Sequence, residues 1–129
     1  MSRPESTIVG CCHEVVIDCA NPRVLAEFWR SMLGGEINTA SETPRWVTLV
    51  GLAGIGKLAF QRVPEQKTLK NRLHIDIEVS DLAAGTARTI ALGATRQGEV
   101  VHESPGSFQV FSDPEGNEFC LVAGYPRDW

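Results

Sequence analysis

Two stretches of the chain decide its fold: EVVIDCANPRVLAEF at Glu14–Phe28 and HIDIEVSDLAAGTAR at His74–Arg88. Laid over one another at an offset of 60 residues, they carry the same features in the same order. Each opens with alternating apolar positions, Val15, Ile17 and Cys19 in one and Ile75, Ile77 and Val79 in the other, the pattern of a strand with one buried face. Each then reaches a residue whose side-chain oxygen can hold the unpaired amides of a first helical turn, Asn21 ahead of Pro22 in the first and Asp81 in the second. Spacings of three and four give the first helix a buried face of Leu25, Phe28, Trp29, Met32 and Leu33, and the second one of Ala83, Ala87, Ile90 and Ala91. Leu33-Gly34 and Leu92-Gly93 end the helices with a residue that tolerates the left-handed conformation.

Outward from these stretches, strands are predicted at about 35–39, 45–50 and 57–63 in the first half and 94–101, 107–112 and 117–123 in the second. Each half therefore reads βαβββ, and the fold class is α+β. The modules run over about 8–63 and 72–124, with a polar, proline-containing joint at 64–71. Neither half is large enough to cover both faces of its own sheet, so the 129 residues are expected to form one domain whose halves share a core and wall a single cavity.

Composition narrows the partners. A formal charge of −4 gives no footprint for nucleic acid. No stretch approaches the roughly 20 apolar residues of a membrane span, and 1–7 lack the character of a secretory signal, so a cytoplasmic location is expected. Cys11, Cys12, Cys19 and Cys120 form no CxxC pair and are expected to be buried free thiols.

The tandem βαβββ pattern and the turn Asp113-Pro114-Glu115-Gly116-Asn117 resemble the vicinal-oxygen-chelate superfamily of glyoxalases, bleomycin-resistance proteins and extradiol dioxygenases. The segments LAEFWRSMLGG (Leu25–Gly35), FQRVPEQKTLKNRLHIDIEV (Phe60–Val79) and DPEGNEFCLV (Asp113–Val122) are similar to glyoxalase-like domain proteins abundant in actinobacteria. The resemblance implies an incomplete barrel with helices outside and a ligand cavity inside, and pairing as a homodimer. It does not imply one reaction.

The resemblance also implies metal-ligand positions on the first and last strands of each module. Counting seven back from Asp81 gives His74, and seven back from Asn21 gives Glu14, leaving His13 a structural or edge residue. Four beyond the turn glycines lie Phe60 and Cys120. Glu14, Phe60, His74 and Cys120 make a damaged metal site, so no cofactor is expected. If a divalent metal binds, His74 and Glu14 would hold it with Glu118, or with Gln61 if its strand is bulged. His74 is the candidate catalytic residue, as a lone ligand or a general acid-base steadied by Asp76 or Glu78, with a plain wall residue as the alternative.

Asp18, Asp76 and Glu78 share the cavity-facing parity, and if buried they need cations from Arg62, Arg72 or Lys57, or a cationic ligand. Trp46, Phe60 and Phe108 are candidate aromatic walls. Together the reading predicts a small-molecule-binding domain without an intact catalytic metal. The alternatives are a metal-dependent lyase, isomerase or dioxygenase, and an interaction module with a vestigial cavity.

Overall fold

The structure is a computed structural model and describes residues 11–126. Its elements are β1 (Val15–Cys19), α1 (Pro22–Leu33), β2 (Glu36–Ile37), β3 (Trp46–Leu52), β4 (Gly56–Arg62), β5 (Asp76–Glu78), α2 (Leu82–Ala91), β6 (Thr95–Arg96), β7 (Val101–His102), β8 (Ser107–Ser112) and β9 (Glu118–Ala123). The first half gives a four-stranded sheet ordered β1-β4-β3-β2. The second gives a five-stranded sheet ordered β5-β9-β8-β6, with β7 also pairing β8. In each half the first strand lies parallel to the last, and the helix makes the crossover. Both sheets are open, and the strand expected over 94–101 is divided into β6 and β7. No helix among the described residues is long and apolar enough to cross a membrane.

The helices begin where side-chain oxygens meet first-turn amides. Val24 donates to Asn21 Oδ1 at 3.4 Å and Ala84 to Asp81 Oδ1 at 3.2 Å. Gly34 closes α1 at φ +78°, a conformation a side chain would strain. Large apolar residues then bury α1, with Leu25, Phe28 and Trp29 in the core.

α2 corrects the sequence reading. Ala83, Ala87, Ile90 and Ala91 face outward, whereas Thr86 and Thr89 are buried. The polar face turns inward because its hydroxyls have partners, Thr86 donating to Gln109 Oε1 at 3.3 Å and Thr89 to Met32 Sδ at 3.8 Å. Gly85, on the same helix, sits against Val79, close enough that a Cβ would stand 3.1 Å from a Val79 methyl. Cys11 and Cys12 are likewise exposed, on a segment ahead of β1 that joins no strand, while Cys19 and Cys120 are buried.

One hydrophobic core spans both halves. The Trp29 ring on α1 meets Phe119 of β9 at 5.0 Å, and its indole nitrogen donates to Asp113 Oδ2 at 3.1 Å. Asp113 Oδ1 accepts from the amides of Glu115 and Asn117, both at 2.9 Å, which fixes the turn into β9. The Glu115 carboxylate accepts from the amides of Ala20 and Asn21 at 3.1 and 3.0 Å, tying that turn to the start of α1.

Candidate functional site

The site grows from the register of the second sheet. Asp76 on β5 is the partner of Cys120 on β9, and Cys120 is the partner of Val110 on β8. Side chains alternate across a sheet, so Ile75, Ile77 and Leu121 enter the core and His74, Asp76, Cys120, Val110 and Phe108 take the opposite face. A cavity of about 530 Å³ lies on that face. Phe108, Val110 and Val122 form its apolar side, His74, Asp76 and Cys120 a polar side, and Lys70 comes from the joint.

The tail completes the wall. Tyr125 lines the cavity and donates from its hydroxyl to Glu103 Oε1 at 2.8 Å. Burial, then the hydrogen bond to Glu103, pushes the Tyr125 phenol up to about 12. The tail can lie this close because residue 106 is glycine. A Cβ there would fall 2.5 Å from the Ala123 carbonyl oxygen and 2.8 Å from the Tyr125 ring.

His74 Nε2 stands 3.2 Å from Asp76 Oδ1, and one ligand-type atom from each of His74, Asp76 and Cys120 lies within 4.8 Å of the others. His74 and Asp76 are exposed and Cys120 is buried. Burial, followed by the Asp76 charge, raises the Cys120 thiol above its ordinary value, with Lys70 opposing. Without a metal it is therefore a neutral thiol near pH 7 and a poor nucleophile. The donor set fits a divalent ion of the zinc type, with imidazole, carboxylate and sulfur within reach of one centre.

Other residues singled out from the sequence lie elsewhere. Phe60 is 0% exposed and belongs to the core. The reason is a register difference between the halves. Asp76 pairs with Cys120, but its repeat equivalent Val16 pairs with Ala59, so Ala59 holds the place that counting from the turn glycine gave to Phe60. Gln61 and Trp46 pair with each other on the first sheet, where the Trp46 indole donates to Thr48 Oγ1 at 2.8 Å. Glu14 sits just ahead of β1, 4.0 Å from His13, whose ring nitrogen is 3.3 Å from Lys57 Nζ. None of Glu14, Trp46, Phe60 or Gln61 lines the cavity, and every lining residue comes from the joint or the second half, so the two halves do not wall it together among the described residues.

Glu118 does line the cavity, but it is engaged. Its carboxylate takes Lys67 Nζ at 2.9 Å and the Asn71 amide at 2.9 Å, which anchors the joint. Burial raises this carboxyl, the two donors outweigh that, and it titrates below its usual range. Asp18, Asp76 and Glu78 are exposed, so the expectation of buried acids needing cations does not apply. The sequence reading missed Tyr125, Glu103 and Lys70, whose approach is set by the tail and joint. It also treated Asp76 as wall or support, although its same-face position two residues from His74 was visible in the strand pattern.

Residues 14–122 match the family described as Glyoxalase-like domain. No curated protein sequence matches the chain. Among solved structures, it is similar to a glyoxalase/bleomycin resistance protein/dioxygenase family enzyme from Burkholderia phytofirmans PsJN, at 17% identity and a TM-score of 0.71 over 87% of this chain and 97% of that one. The fosfomycin resistance protein FosX from Listeria monocytogenes is similar at 16% identity and a TM-score of 0.73, over 92% and 94% of the two chains. A variant of that FosX, described as complexed with Mn(II) and a dihydroxypropylphosphonic acid, gives 15% identity and a TM-score of 0.71 over 92% and 93%. At such identities the likeness shows a shared fold.

Proposed function

The chain belongs to the glyoxalase-like domain family, and from that premise we propose that its second half binds a small organic molecule in the cavity beside β8 and β9. The observation that carries the reading is the cavity itself. Its volume lies within the range of roughly 300–1,000 Å³ usual for ligand sites, and the apolar residues Phe108, Val110 and Val122 lie beside the cluster of His74, Asp76 and Cys120 on one face of the sheet. A flat or partly apolar ligand would lie on the Phe108 side and present a polar group to His74. Small-molecule sequestration, as in resistance proteins, and turnover are both compatible with this arrangement.

The test is a metabolite and antibiotic library screened by thermal shift. A ligand at a hundred times its dissociation constant adds about 2.7 kcal/mol of stability. Phe108→Ala should lose that stabilisation while the unliganded protein still melts cooperatively. A ligand that stabilises the wild type and Phe108→Ala equally would place binding elsewhere.

The three-residue cluster favours a second reading, a divalent-metal lyase, isomerase or dioxygenase. His74, Asp76 and Cys120 would hold the ion, which would act as a Lewis acid toward a substrate oxygen. Asp76 would then steady the imidazole as well as contribute an oxygen, and Phe108 would orient the substrate. Homodimerisation and a cytoplasmic location complete the proposal, the first supported by the uncovered outer edges of β1 and β5.

A further inference from the structure

We propose that the ligand of this cavity carries an ammonium group, and that Glu103 and Tyr125, with Phe108 on the same wall, select it at a place apart from the His74 cluster. The inference rests on the small-molecule reading of the cavity and goes beyond it by naming the ligand's charge and the residues that choose it.

Placement is the first observation. Val101 on β7 is the partner of Phe108 on β8, and just past β7 the Glu103 amide donates to the Gly106 carbonyl at 2.9 Å. Side chains alternate along a strand, so Val101, Glu103 and Phe108 share the cavity face. Tyr125 packs against this hairpin tip, where Gly106 leaves room for its ring and its hydroxyl donates to Glu103 Oε1 at 2.8 Å. Glu103 is exposed and Tyr125 half-buried, so a ligand reaches both. A carboxylate and two aromatic rings thus line one cavity. That combination suits an organic cation, because ring faces are electron-rich and the carboxylate adds a full charge.

Charge is the second. Of the carboxylates lining the cavity, Glu118 is matched by Lys67 at 2.9 Å and Asp76 has His74 at 3.2 Å. Glu103 accepts from a neutral phenol, and no lysine, arginine or histidine among the described residues pairs with it. Lys70 acts on the Cys120 thiol, in opposition to Asp76, whereas the charges acting on the Tyr125 phenol are those of Glu103 and Asp76. The Tyr125 end of the cavity is therefore its negative end. An anion there would be repelled, and an ammonium N–H would take the Glu103 oxygen that Tyr125 leaves open in a charge-assisted hydrogen bond.

The experiment titrates the full chain at neutral pH, followed by protein NMR, with three probes that share one ring and differ in charge: phenethylamine, phenethyl alcohol and phenylacetate. The expected order is the amine tightest, by at least about tenfold over the alcohol, with phenylacetate weakest. Glu103→Gln keeps an acceptor for Tyr125 and removes the charge. It should bring the amine to within about threefold of the alcohol, the preference that rings alone give at an accessible site, while alcohol affinity holds. A merely structural role for Glu103 would weaken all three probes alike. Lys70→Gln removes an opposing charge and should raise amine affinity. Alcohol or phenylacetate binding as tightly as the amine overturns the proposal, as does an amine preference unchanged in Glu103→Gln, or no binding by any probe. Circular dichroism checks folding, and the order of the probes on the wild type decides even where a variant fails to fold. The library screen is read separately. A library ligand whose stabilisation is lost in Phe108→Ala keeps the cavity reading when the probes overturn this one, and if no ligand depends on Phe108 both readings fall.

Discussion

Asp113 links the two halves, because its buried carboxylate meets donors from both. Oδ1 accepts two turn amides, while Oδ2 accepts the Trp29 indole and Asn117 Nδ2. In Asp113→Asn one oxygen becomes an NH₂ group, which leaves a buried donor facing a donor. The expected cost is about 1–3 kcal/mol, read as a lower urea midpoint with an unchanged slope. Glu118 gives a pH prediction. Its carboxyl is held below the usual value of 4.5, so its contribution is fully present above that value and is lost as the pH falls through the lower folded one. The contribution is about 1 kcal/mol or less for so accessible a pair. Stability curves of wild type and Glu118→Gln should therefore converge on acidification below pH 4.5, and curves that stay parallel would contradict the anchor. The thiols divide by environment as well. Burial pushes Cys19 up to about 12 and also raises Cys120, so a thiol reagent at neutral pH should modify Cys11 and Cys12 quickly and the other two only on unfolding.

At the scale of elements, α2 makes the sharpest prediction. Thr86 donates to Gln109, whose own amide donates to the Gly98 carbonyl at 2.7 Å, so one hydroxyl connects the helix to β8 and to the loop before β7. Thr86→Val keeps the volume but orphans a buried carbonyl oxygen, and about 1–3 kcal/mol of stability should disappear in denaturant titration. The same helix shows why some of the fold was legible and some was not. α1 announces its buried face with Leu25, Phe28 and Trp29, side chains too large and apolar to leave in water. α2 offers alanines, which gain little by burial, against threonines whose hydroxyls find partners only in the tertiary structure. The site follows the same division. Strand parity read locally placed His74, Asp76 and Cys120 on one face, because it needs only the alternation of one strand. Phe60 was misplaced because the position was carried from one half to the other, and the last strands of the two halves differ by one residue in register.

For the whole molecule, the question is what covers the sheet edges. The strand orders leave β1 and β5 each hydrogen-bonded on one side only. β1 also exposes Val15 and Val16, the latter at 41%, and Leu73 just before β5 is 88% exposed. Bare edges with apolar side chains pair with other edges unless something blocks them, and among the described residues β1 carries no proline and no lysine to do so. A second copy related by a twofold axis would cover both edges with one repeated contact. Sedimentation should then show twice the 14.1 kDa chain mass at micromolar concentration. Val16→Lys should shift it toward the single chain without lowering the helical circular dichroism signal, because the charge enters an exposed edge. The control is Ile90→Lys on the outward face of α2, which presents the other exposed apolar residue on a regular element of the second half apart from β7. If Ile90→Lys dissociates the assembly and Val16→Lys does not, the contact runs through the helices and the edges are covered some other way. A chain that sediments at 14.1 kDa at every concentration would mean that the edges stay open in solution.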